Sequence, residues 1–127
     1  MAEQGTDGFS FPDGFPPRVI AVVAHGEIRA EHYERDLIPR IEAAVKASGP
    51  ARLYYELGED FHGFSLGAAW DDAMVGLRHL SDFARVAVVT DIGWIRSGTA
   101  LFAPLIPCEV RVFPLAERAA ARAWIAA

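Results

Sequence analysis

The feature that most constrains this chain is a rhythm. From Arg18 onward, short apolar runs alternate with stretches of helical spacing. Val19-Ile20-Ala21-Val22-Val23-Ala24 is β-branched and closed by His25-Gly26, which suits a buried strand. Tyr33, Leu37, Ile41, Ala44 and Val45 then recur three or four residues apart, as on one face of a helix, and Ser48-Gly49-Pro50 stops it. Pro39 falls inside that pattern; lacking an amide hydrogen and crowding the preceding turn, it predicts a kink or a break. Residues 52–57 read as the next strand and 58–64 as a loop. Ser65 suits an N-cap for a helix whose stripe is Leu66, Ala69, Trp70, Ala73, Met74, Leu77 and Leu80. A strand at 86–90, a helix at 94–103 ahead of Pro104 and Pro107, and a strand at 109–113 ended by Pro114 follow. The final helix spans 116–125, with Ala116, Ala119, Ala120, Ala123 and Trp124 on one side. Strands alternating with helices make βαβ units, so the fold class is α/β, a mostly parallel sheet with helices packed on it.

At 127 residues the chain is one domain, long enough to build a core without disulfides or metals. Residues 1–17 read as a flexible N-terminal arm ahead of a domain at 18–127: they hold three acids, no bases and a Gly/Phe/Pro-rich stretch without periodicity. Phe9, Phe11 and Phe15 are unusual for a solvated tail and would tack it onto the domain or onto a partner subunit. The net charge is −5, and the twelve cations are scattered singly, unlike a phosphate-binding footprint; nucleic acid is not expected as a partner. The aliphatic run at 19–24 is far short of the ~20 residues of a membrane-spanning helix, and no basic start precedes an apolar stretch, so a cytoplasmic chain is expected. Cys108, the single cysteine, excludes an internal disulfide and a cysteine-based zinc site.

No phosphate-binding loop, nucleophile elbow or dinucleotide fingerprint is present. The four histidines show no i, i+4 pair, and no metal or cofactor is expected. Asp71 and Asp72 point about 100° apart on a helix and complement its N-terminal dipole rather than sharing a substrate. Asp91 ends an apolar strand, where open α/β sheets bind ligands, though Asp-Ile-Gly is also ordinary turn chemistry. Trp94 follows three residues later and either walls a pocket or joins the core. With no base, nucleophile and stabiliser in view together, the chain is read as non-enzymatic.

Several stretches together resemble a known family. They are His25-Gly26-Glu27-Ile28 leading into Glu31-His32-Tyr33, Leu37-Ile38-Pro39, Tyr55-Glu56-Leu57 with Asp60-Phe61-His62-Gly63-Phe64, Trp70-Asp71-Asp72, residues 83–91 with Trp94, and Glu109-Val110-Arg111-Val112-Phe113 with Ala123-Trp124. In this order they are similar to the bacterial SpoIIAA-like family, small cytoplasmic proteins related in fold to STAS domains. The resemblance implies a sheet of four or five strands with helices mainly on one face, and commonly a homodimer. STAS-type domains bind and switch rather than catalyse, and some relatives have been compared with CRAL-TRIO lipid-binding domains. In anti-sigma-factor antagonists a phosphorylatable serine opens the helix after a strand; Ser65 is the matching hydroxyl here, but the preceding Asp-Ser is absent, and an ordinary N-cap explains it equally.

Two readings follow. One is a binding domain for an apolar or amphipathic small molecule, a lipid among them, resting on the aromatic set Phe61, Phe64, Trp70, Trp94 and Phe102, with Asp91, Ser65 and Arg96 as polar groups. The other is a protein-interaction module, phospho-switched at Ser65.

Overall fold

In the computed structural model, which describes residues 7–65, 67, 83–105 and 108–127, five strands form one sheet in the order of the chain. They are β1 (Gly8–Ser10), β2 (Val19–Ile28), β3 (Ala51–Phe64), β4 (Phe83–Thr90) and β5 (Glu109–Phe113). β2 through β5 are mutually parallel, and β1 pairs antiparallel with β2. When successive parallel strands are spatial neighbours, right-handed crossovers all step the same way and put their helices on the same face. That face carries the larger core, in which Ile20, Val22, Ala24, Leu53, Tyr55 and Leu57 meet Tyr33, Leu37 and Ile41.

The first crossover is α1 (Ala30–His32), a π turn (Tyr33–Leu37) and α2 (Ile38–Ser48) in unbroken succession. Of the kink or break expected at Pro39, the break does not occur. The proline sits in the first turn of α2, directly after the π turn. The wide turn before it, closed by the Ile38 N–H on the Tyr33 carbonyl, absorbs the crowding. Gly49 ends α2 with φ +78°.

The expected loop at 58–64 is a second correction: β3 runs on to Phe64. Its ladder with β2 passes from Ala24↔Leu57 to Gly26↔Phe61, then Glu27↔Gly63 and Ile28↔Phe64, so β3 carries extra residues in bulges. Glu59 and Asp60 swell outward to solvent while Phe61 returns to the core. Gly63, at φ +142°, permits the second irregularity.

The opposite face is covered by α4 (Arg118–Ala126), which follows β5 through a 3-10 turn (Leu115–Glu117). Its buried residues are Ala121 and Ile125, packed with Leu115 on Val19, Ala21, Tyr54, Ala87, Val89 and Phe113. The expected contact stripe is thereby corrected: Ala116, Ala119, Ala120 and Ala123 are exposed, and only Trp124 of that set is partly buried. In an alanine-rich helix the bulky Ile125 sets the rotation, since it has far more apolar area to bury than any alanine. Arg52 and Arg85 donate to the carbonyls of Ile125 and Trp124, at 2.9 and 2.8 Å, satisfying the C-terminal end of this helix.

Within the arm, Phe9 stacks edge-on against Tyr33 and Tyr55 on the first face. Phe11 lies under the Arg40 guanidinium, and Phe15 sits against Tyr54 on the second face.

Candidate functional site

The carboxyl ends of β3 and β4 and the start of α3 (Gly93–Phe102) meet at one rim of the sheet. β4 closes on Thr90, fully buried. Its hydroxyl donates to the Leu57 carbonyl at 2.9 Å and accepts the Ile92 N–H at 3.1 Å. The pattern marks Thr90 only as the last residue of a strand, yet this one side chain locks β4 to β3 and turns the chain into α3. Arg96, one turn into α3, donates to the Thr90 carbonyl at 3.0 Å.

On that frame stands a file of aromatic rings. Phe61, buried, lies 5.0 Å from Phe64 between ring centroids, and Phe64 lies 6.3 Å from Trp94, both pairs edge to face. Burial falls along the file. Phe61 is 8% exposed, Phe64 is half-buried, and Trp94 is 63% exposed. An indole held against a phenyl ring but left in water is unusual, because tryptophan carries a large apolar area normally hidden. Leu101, two turns further along α3, is also exposed.

Phe61, Phe64 and Trp94 are therefore brought together; Asp91 is not joined to them. Its carboxylate accepts the Leu115 N–H at 2.9 Å, tying the end of β4 to the turn that launches α4. Ser65 is half-buried, and its N–H donates to the Ile28 carbonyl at 2.9 Å, extending the β2–β3 ladder by one bond. Trp70, with the helical stripe expected after Ser65, lies outside the described residues. A Cβ on Gly67 would stand 3.0 Å from that of Ala30, so the chain leaving Ser65 passes close to the start of α1.

A mostly parallel sheet of neighbouring strands, with the β2–β3 crossover helix packed on one face and an aromatic rim at the strand ends, defines a small α/β domain of the STAS-like class. The SpoIIAA-like family model matches residues 19–126, and the chain belongs to that family. It is similar over 94% of its length, and 94% of the other chain's, to an uncharacterised protein with a SpoIIAA-like fold from Shewanella loihica PV-4 (25% identity, TM-score 0.73). No curated protein matches the sequence. Among the described residues, no helix is long and apolar enough to cross a membrane.

Proposed function

We propose that this chain is a binding domain for an apolar or amphipathic small molecule, a lipid among them, seated against the Phe61–Phe64–Trp94 file, a site at which no reaction takes place. The observation that carries this reading is the exposed indole of Trp94, held edge-on to Phe64 at the carboxyl ends of parallel strands. That is where open α/β sheets receive ligands, and a ligand's apolar part would remove the indole from water. The Arg96 guanidinium, held by the Thr90 carbonyl at the end of β4, is the cation proposed for a polar head. Asp91 and Ser65 belong to this proposal as rim groups, and Trp70 as a further wall.

Native mass spectrometry of the purified protein, followed by a denaturing run on the same sample, tests it. A mass surplus lost on denaturation is the expected result. For protein stripped of ligand, the amphipathic probe anilinonaphthalene sulfonate should bind wild type and bind Trp94→Ala more weakly. No surplus, together with equal probe binding by both proteins, overturns the reading. The same native spectrum reads the oligomeric state, for which we propose a homodimer.

A further inference from the structure

We propose that Ser10, His25 and Asp60 form a nucleophile–base–carboxylate relay that takes an acyl group from a small ester and passes it to water. The site is separate from the aromatic file and goes beyond the binding reading.

Two features of the sheet build it. The first is the bulge in β3. His25 falls between the Ala24↔Leu57 and Gly26↔Phe61 pairs, opposite the extra residues, and Asp60 from that bulge brings Oδ2 to 2.6 Å from His25 Nδ1. Bulges commonly re-aim a side chain in this way. The second is the arm. β1 pairs Ser10 with Val23 and Gly8 with His25, so Ser10 is the diagonal neighbour of His25, with Oγ 2.8 Å from Nε2. Phe9 packs into the core beneath, so Ser10 and His25 stand on the other face. Just after His25, Gly26 adopts φ +59°, and the carboxylate of Asp7 occupies the place a Cβ would take. The Asp7 carboxylate also accepts the Glu27 N–H at 3.0 Å, which fixes the strand beside the imidazole.

The chemistry follows from donors and acceptors. An ionised carboxylate only accepts, so Nδ1 carries the hydrogen bonded to Asp60; Nε2 then presents its lone pair, and the Ser10 hydroxyl donates to it. This is the arrangement that activates a serine. β1 is the edge strand of the described sheet, and the backbone N–H groups of an edge strand that point away from its neighbour are where a developing oxyanion would find donors. The side chains of His25 and Asp60 are 34% and 62% exposed, and Ser10 is exposed, so the substrate reaches the site from solvent.

In the first half-reaction Ser10 Oγ bonds to the ester carbonyl carbon, its proton passes to His25 Nε2, and the carbon–alkoxy bond breaks as the leaving oxygen takes that proton. In the second, water adds to the acyl carbon and gives a proton to Nε2. Ser10 Oγ departs with that proton, and the carboxylic acid is released.

The test uses p-nitrophenyl acetate with the full chain and with Ser10→Ala, His25→Ala and Asp60→Asn, each checked for folding by circular dichroism. The expected result is an acetyl group on the peptide containing Ser10. Its rate of formation should drop about 10²-fold in His25→Ala, the range of a general base. If His25→Ala folds poorly, Asp60→Asn keeps the shape, removes the charge and should also slow acetylation. Acetylation confined to other side chains, or an undiminished rate at Ser10 in both His25→Ala and Asp60→Asn, overturns the proposal.

Discussion

The phenolic oxygens of Tyr33 and Tyr55 lie 2.8 Å apart inside the larger core, joining the π turn to the middle of β3. Both rings are buried, Tyr33 completely. The bond therefore fixes how the first crossover helix is seated on the sheet, at the turn that also accommodates Pro39.

Removing either hydroxyl breaks this bond in a buried place. Tyr33→Phe and Tyr55→Phe should each cost about 1–2 kcal/mol in urea unfolding, and the double variant should cost less than their sum. Strict additivity would mean the two oxygens do not act as a pair.

Trp94→Ala is expected to separate binding from folding. Most of the indole is in water, so stability should change by no more than about 0.5 kcal/mol, while uptake of an amphipathic probe falls. An equal loss in both would place Trp94 among the structural residues instead.

Ile125 has no exposed area and is the largest fully buried side chain that α4 contributes. Ile125→Ala should cost about 2–5 kcal/mol, comparable with Ile41→Ala on the other face. Ala120→Ser, on the exposed side of α4, should be nearly neutral. Thermal unfolding of the three variants checks the rotation assigned to this helix.

The Glu27 N–H holds the Asp7 carboxylate below its ordinary value of 3.8, with the Arg29 guanidinium adding to the effect. A detached arm therefore binds more protons than a docked one, and docking strengthens as pH rises. Asp7's contribution is full above the ordinary value and is lost as pH falls through the lower, docked value. Amide chemical shifts of Phe9 and Ala24 followed down an acid series should report the release. In Asp7→Asn that step should be missing.

The alternation of strands and helices was legible because each apolar run is bounded by glycine, proline or an acid, and Ser48-Gly49-Pro50 and Pro114 fall where α2 and β5 end. The far half of β3 was not. Gly58, Glu59, Asp60 and Gly63 carry turn chemistry, and only pairing with the end of β2, distant in sequence, makes them a bulged strand. The face of α4 was hidden for a different reason: alanines give no contrast, so a stripe drawn through them misses the rotation that Ile125 imposes. At the rim, Phe61, Phe64 and Trp94 could be named from the sequence, since aromatic residues near strand ends attract notice. The turn of Asp91 toward Leu115 depends on where α4 docks, which spacing does not encode. Ser10, His25 and Asp60 come from an arm, a strand end and a bulge, and nothing in their separations along the chain announces that they meet.

The antiparallel strand β1 is three residues long and lies at the margin of the sheet, on the flank of β2. Without it, the stretch of β2 from Val23 to His25 would offer bare backbone donors and acceptors to any passing chain. The Phe-rich arm thus acts as a selvedge that stops this border from fraying into growth. A chain trimmed ahead of Val19 is the form in which strand exchange and fibre formation should first be seen.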